Sequence, residues 1–246
     1  CLIAQFGKKV PLLTVNNILN ILQQASPRMF LALGVAGLMG AGRTEIMRAL
    51  FGIDDCRQGE VYLHGQKINI KKPEDAIKAG IGFITENRKT EGLILDFSIL
   101  KNIALPSVDT FASKSVINDK KEFNFSNELS HKLGVKANSI QLPAGALSGG
   151  NQQKVVIAKW IGMHPSIIIM DEPTRGIDVG AKRDIYDLMN ELTAQGVAII
   201  MVSSDLPEVI GMSDRILVVH EGKIAGEIPH DQATQENIIT LATGGI

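Results

Sequence analysis

Gly37-Leu38-Met39-Gly40-Ala41-Gly42-Arg43-Thr44 has the spacing of a phosphate-binding loop, with Arg where Lys is usual. Glycines at this spacing let backbone N–H groups turn inward around phosphate oxygens. A helix starting near Thr44 would aim the positive end of its dipole at the same anion. The Thr44 hydroxyl suits Mg²⁺. Arg43 changes the chemistry. Lysine is a compact point charge that fits between phosphates, whereas arginine is a wider planar fork that holds an anion in a different slot. The loop is therefore expected to bind nucleotide and to support hydrolysis poorly. By itself the segment is also compatible with a Gly-rich strand-to-helix turn that serves packing alone.

Two further segments carry chemistry. Ile167-Ile168-Ile169-Met170-Asp171-Glu172-Pro173 is a buried-strand pattern ending in two carboxylates. Side chains alternate along a strand, so adjacent acids need not share a task. Asp171 is suited to holding Mg²⁺ through water, and Glu172 to orienting or deprotonating an attacking water. Leu147-Ser148-Gly149-Gly150-Asn151-Gln152-Gln153-Lys154 precedes an apolar helical run, with Ser148 as a good N-cap. Glycine inside a helix costs about 1 kcal/mol, so two in the first turn suggest a second anion site.

The elements that must position these residues alternate in type. Phe30–Ala36, Ser166–Met170 and Val197–Ser203 read as strands. Helices are expected from Thr44 to Phe51, from Ser148 onward, and from Lys182 to Ala194, where Ile185, Leu188, Met189 and Leu192 have helical spacing. Strands separated by helices imply parallel pairing with crossovers, an α/β fold. Glu60–Leu63 with Lys67–Ile70, and Arg215–Val219 with Ile224–Ile228, read as hairpins around His64-Gly65 and Glu221-Gly222-Lys223. Residues 87 to 146 are richer in Lys, Asn, Asp and Ser and read as a mostly helical insertion. Their Lys cluster, which includes Lys114, fits a solvated face, with nucleic-acid contact as the lesser alternative because acids are interleaved.

Composition sets outer bounds. The chain has 246 residues and is 45% hydrophobic, enough for a substantial core. Its formal net charge of −1 argues against a surface built to neutralise nucleic-acid phosphates. Cys1 and Cys56 are too few for a disulfide framework or a four-cysteine zinc site, and Cys56 reads as part of a polar turn. The five histidines show no pair at metal-ligand spacing and suit surface or turn positions. Trp160 lies on the apolar face of its helix and is expected in the core. The longest nearly apolar run, Met29–Ala41, is shorter than the roughly 20 residues that span a bilayer.

The phosphate loop, the Leu-Ser-Gly-Gly segment, Asp171-Glu172 and the following Arg175-Gly176-Ile177-Asp178 together resemble, in order, the nucleotide-binding domain of an ABC transporter. More narrowly, Gly37–Glu45, Leu147–Lys154, Asp171–Lys182 and Val202–Asp205 resemble the second half of the two-domain ATPases of bacterial monosaccharide importers. The tail Gly211–Asn237 is most similar to ribose-importing members. The resemblance implies a P-loop NTPase of ABC type, with a RecA-like parallel-sheet core, a small antiparallel part and the helical insertion at about 87–146. It makes residues 1–246 one ABC ATPase domain, the C-terminal half of a two-domain protein, in keeping with a first residue that is not Met. It implies ATP and Mg²⁺ as cofactors, with Gly37, Gly40, Ala41, Gly42, Arg43, Thr44 and Glu45 at the nucleotide, Thr44 and Asp171 at the metal, and Glu172 as the catalytic carboxylate. Leu147, Ser148, Gly149, Gly150 and Asn151 would complete an ATP site on a partner N-terminal domain, of the same or a second chain. Asp178 would lie in a loop crossing that interface, or cap the helix from Ala181, or both.

The chain departs from the common ABC pattern at the chemistry. Arg43 replaces the loop lysine, Glu86 stands near a usual glutamine, Asn151 replaces the signature's last glutamine, and Ser204 stands for the switch histidine. A slow or silent own site is expected, although the second half of this subfamily resembles the same pattern. Residues 1–32 are atypical, lacking the usual Lys-Gly-Glu turn; no adenine-stacking residue is assigned, and Phe6 and Phe30 read as core. Further implied partners are membrane permease subunits and, indirectly, a periplasmic sugar-binding protein, with no nucleic acid. The implied location is peripheral, on the cytoplasmic side of the bacterial inner membrane. The rival readings are a regulatory nucleotide-binding module that does not turn over, and a soluble ABC ATPase acting on nucleic acid or ribosomes.

Overall fold

A computed structural model describes residues 32–55, 60–113 and 116–245. Phe6, Phe30, Cys1, Cys56, Lys114 and the atypical stretch 1–31 lie outside these. The described chain divides into two compact units.

Of the described residues, those from 32 to 83, 166–172 and 190–245 make up the first unit. Its main sheet has six strands in the order β10-β9-β1-β8-β7-β4. They are β1 (Ala32–Gly37), β4 (Ile81–Ile84), β7 (Ile167–Asp171), β8 (Ala198–Val202), β9 (Arg215–His220) and β10 (Lys223–Pro229). Strands β7, β8 and β1 pair in parallel, as does β1 with β9. Every residue of β7 and β8 is buried. Such continuous apolar runs are what a parallel sheet covered on both faces requires. Helix α1 (Arg43–Phe51) packs on β1 and β7, and β9 returns as the expected hairpin with antiparallel β10. The smaller hairpin, β2 (Val61–Leu63) with β3 (Gln66–Ile68), turns at His64, whose φ is 50°. Helix α2 (Pro73–Lys78) leads into β4.

The register decides what meets what. Val202 is opposite Val35 on one side and Asp171 on the other. Parallel strands all present their carboxyl ends at one edge. The loop after Gly37, the acids after Met170 and the turn after Val202 therefore gather there, where open α/β sheets place ligands.

The second unit comprises residues 84–165 and 173–189. It contains α3 (Ile99–Ala104), α4 (Val108–Phe111), a short hairpin β5 (Ala112–Ser113) with β6 (Val116–Ile117), α5 (Asp119–Lys132) and α6 (Gly149–Ile161). Helix α6 packs against α3 and α5. The unit thus extends beyond the polar stretch 87–146 to include α6, which packs on α3 and α5, and residues 173–189. Trp160 is buried as expected, with the Lys159 ammonium 5.8 Å from its ring centre. Helix α7 (Val179–Ala194) buries Ile185, Leu188, Met189 and Leu192. In the first unit, α8 (Leu206–Met212) and α9 (Gln235–Ala242) cover β1 and β9. Among the described residues no helix is long and apolar enough to cross a membrane.

Gly34 of β1 shows how tightly this cover fits: a Cβ there would collide with Ser213 Oγ and stand 2.9 Å from Val209 Cγ1. Overpacking of this kind typically costs about 1–3 kcal/mol. Gly34→Ala is expected to lower stability by that amount in a urea melt.

Candidate functional site

The phosphate loop occupies the end of β1. Gly40 and Gly42 have φ of 79° and 93°, which residues with a Cβ rarely adopt. A Cβ at Gly40 would meet nothing within 4 Å, so the loop bounds open space. Ala41 N–H donates to the Leu38 carbonyl at 3.0 Å, and the Ala41 carbonyl accepts from Gly222 N–H at 2.7 Å, pinning the loop to the β9–β10 turn. Gly42 is the N-cap of α1 and provides no side-chain cap. The first N–H groups of α1 are thus without a side-chain acceptor, the condition in which a helix start receives an anion. Glu45, in that first turn, adds a negative charge beside the loop.

Arg43 is buried and turned to the sheet edge. Its Nη1 donates to the Ser203 carbonyl at 2.5 Å, and its Nη2 stands 3.6 Å from Glu172 Oε1. Glu172 follows the last residue of β7 in a left-handed conformation, φ 47°. Such backbone costs roughly 1–3 kcal/mol and persists only where surroundings impose it. Here two hydrogen bonds do so: Glu172 N–H donates to the Val202 carbonyl at 2.8 Å, and Glu172 Oε1 accepts from Ser204 N–H at 2.8 Å. Ser203, fully buried, donates its hydroxyl to Glu208 Oε2 at 2.5 Å, which steadies the carbonyl that Arg43 uses. Arg43, Glu172, Ser203 and the Ser204 N–H form one cluster.

Asp171 differs from Glu172, as the strand alternation predicts. It is 1% exposed, and neither carboxylate oxygen has a hydrogen-bond partner. Burial pushes its carboxyl up to about 6. The nearby Thr44 hydroxyl opposes this without a bond of normal geometry, Glu172 adds to it, Arg43 opposes it and Glu45 adds to it. A buried carboxylate without a donor calls for a cation. Asp171 with the Thr44 hydroxyl therefore fits an octahedral, water-retaining Mg²⁺, an ion that prefers oxygen donors.

The second unit holds the other motif residues. Glu86 is ion-paired with Arg175. Arg88 forks onto the loop after Pro173: Nη1 donates to the Arg175 carbonyl at 2.8 Å and Nη2 to the Gly176 carbonyl at 3.0 Å. Partial burial shifts the Arg88 guanidinium below its ordinary pKa. This arginine sits in a polar stretch that reads as solvated surface, and no sequence signal distinguishes it from its neighbours. Asp178 Oδ1 accepts from Ala181 N–H at 2.9 Å, which bears out its capping role. Lys154 Nζ joins Asp184 Oδ2 at 2.7 Å, tying α6 to α7.

The structure adds detail to two expectations at α6. Ser148 occupies the N-cap position, but its hydroxyl caps no helix N–H, because the Asn151 amide takes it at 3.0 Å. The double glycine has a packing reason: a Cβ at Gly149 would lie 2.7 Å from Arg88 Nη2, and one at Gly150 would lie 2.5 Å from the Ala181 Cβ. The helix cost of these glycines is thus no independent sign of an anion.

The sequence pattern of the ABC transporter family matches residues 29–175. The chain belongs to that family. It is 60% identical to the ribose import ATP-binding protein of Oceanobacillus iheyensis over 98% of this chain and 49% of that protein. It is 64% identical to its counterpart in Bacillus subtilis over 86% of this chain and 43% of that one. The chain thus spans about half the length of the curated relatives it matches. The fold of a nucleotide-free ATP-binding cassette from an ABC transporter superposes with a TM-score of 0.72 at 22% identity, covering 85% of this chain and 84% of that one. The expected P-loop α/β cassette is the fold found.

Two measurements check this geometry. A folded-state pKa raised from 3.8 to about 6 means that native Asp171 loses stability as pH rises from about 4 to 6, a cost of roughly 2–3 kcal/mol above that window. In Mg²⁺-free buffer, Asp171→Asn should therefore stabilise the chain at pH 8 by up to that amount and leave it unchanged near pH 4, by urea melts. Gly150→Ala should destabilise by about 1–3 kcal/mol, and adding Ala181→Gly should recover most of that loss.

Proposed function

We propose that this chain is the C-terminal half of the ATP-binding subunit of an importer that couples ATP binding and hydrolysis to entry of a monosaccharide, namely ribose. Residues 1–246 would form one ABC ATPase domain with a helical subdomain at about 87–146. Its partners would be an N-terminal nucleotide-binding domain, membrane permease subunits and, indirectly, a periplasmic sugar-binding protein. It would sit peripherally on the cytoplasmic side of the inner membrane. Kinship to ribose import proteins supports the substrate and the partners, and the charge balance speaks against nucleic acid.

Gly37, Gly40, Ala41, Gly42, Arg43, Thr44 and Glu45, together with Glu86 and Ser204, would be the nucleotide-binding residues. Thr44 and, through water, Asp171 would hold Mg²⁺, which supplies positive charge against the phosphates. Glu172 would orient the attacking water. We read this half's own site as degenerate, and one observation carries that reading: the cation that should serve the phosphates faces Glu172 and the Ser203 carbonyl. A carboxylate already engaged by a guanidinium and by the Ser204 N–H has less of its acceptor capacity left for a water. Leu147, Ser148, Gly149, Gly150 and Asn151 would instead complete the partner domain's site, with Asp178 in the loop between domains.

The test is ATP hydrolysis and uptake by the reconstituted full-length importer. Ser148→Arg should reduce both by about a hundredfold, because it loads a large cation onto a shared phosphate site. Glu172→Gln should change either by less than about threefold, where loss of a working catalytic base would cost about 10²–10⁴-fold. Appreciable single-turnover hydrolysis with the partner domain's catalytic glutamate disabled would refute a silent site. The same assay separates this reading from a purely regulatory module, in which Ser148→Arg would leave turnover unaltered.

A further inference from the structure

Ser148 has the extended backbone of an N-cap, φ −62° and ψ 158°, yet its hydroxyl takes no helix N–H. A capping serine ordinarily accepts from the second or third helical residue. Asn151, at the third position, replaces that interaction. Its Nδ2 donates to Ser148 Oγ at 3.0 Å, and its Oδ1 accepts the Lys136 backbone N–H at 2.7 Å. The orientation of this amide follows from chemistry. A backbone N–H can only donate, so the atom facing Lys136 is the carbonyl oxygen and the NH₂ must face Ser148.

The consequence falls on the serine proton. A hydroxyl has one proton to give and lone pairs to receive. Asn151 engages a lone pair, so the Ser148 proton cannot point toward the asparagine. Ser148 is exposed, which leaves that proton available to an acceptor outside the chain. We propose that Asn151 is a positioning residue: anchored by the Lys136 amide, it commits the Ser148 hydroxyl to donate, which suits a terminal phosphate oxygen presented by the partner domain. This rests on the reading of Ser148 given above and adds the residue that sets its polarity. It also gives Asn151 a function of its own at a position where the wider family carries glutamine.

Asn151→Asp tests it. The aspartate keeps an oxygen for Lys136 but turns the second contact from donor to acceptor, so the Ser148 proton is drawn inward. In the reconstituted full-length importer, Ser148→Ala should lower the ATP hydrolysis rate about tenfold, the effect of one hydrogen bond to a charged oxygen. Asn151→Asp should lower it by about tenfold or more. In a Ser148→Ala background its penalty should be at least about threefold smaller, the remainder being the new charge, because the effect runs through the hydroxyl. Penalties differing by less than that between the two backgrounds would overturn the inference while leaving the shared site intact. Asn151→Ala adds no charge and should follow the same pattern, with a smaller loss that vanishes once the hydroxyl is gone. A loss that persists there, or a drop in the assembly's melting temperature that accounts for it, likewise counts against the proposal. If Ser148→Ala itself leaves hydrolysis within about twofold of wild type, the shared-site reading falls, and the inference with it.

Discussion

Three strands ending on one level place charges close together, and this constraint organises the first unit. Val202 stands between Val35 and Asp171, so the phosphate loop, both acids and the turn at Ser203 share one edge. Carboxylates gathered at the rim of an apolar sheet cannot all stay unpaired, because burying a charge without a partner costs several kcal/mol or shifts its protonation. The chain resolves this unequally. Glu172 receives Arg43 and the Ser204 N–H, while Asp171 receives no donor and its carboxyl rises to about 6. The same arrangement leaves Asp171 suited to a metal and Glu172 occupied by protein.

Arg43 is the residue on which that inequality turns. A lysine ammonium is compact and would leave the sheet edge free. A guanidinium is planar, carries donors on two arms and reaches two acceptors at once. It joins the Ser203 carbonyl and faces Glu172, and the carbonyl is steadied in turn by the Ser203–Glu208 hydrogen bond. The left-handed backbone at Glu172 is held within this cluster, where the strain has local hydrogen bonds to oppose it.

The second unit uses an arginine differently. Arg88 grips two carbonyls of the loop after Pro173 and lies against Gly149, and Ala181 presses on Gly150. The glycine pair thus serves close packing as well as leaving the helix start unobstructed. Asn151, anchored by the Lys136 N–H, donates to the Ser148 hydroxyl and so sets the direction of its proton.

Much of this was legible in the residues. Apolar runs covered on both faces identify β1, β7 and β8 without ambiguity of period, and turn pairs such as His64-Gly65 and Glu221-Gly222 mark the hairpins. The loop glycines, the paired acids and the cap at Asp178 are local, and local spacing carries them. The tertiary structure decided the partners. Arg43 finds Ser203 and Glu172 far along the chain, Arg88 finds residues 175 and 176, and Asn151 takes the serine hydroxyl from the helix. Sequence spacing encodes which groups can interact along one element, but a hydrogen bond across elements depends on register and packing. Those are set by how the whole sheet and its helices exclude water.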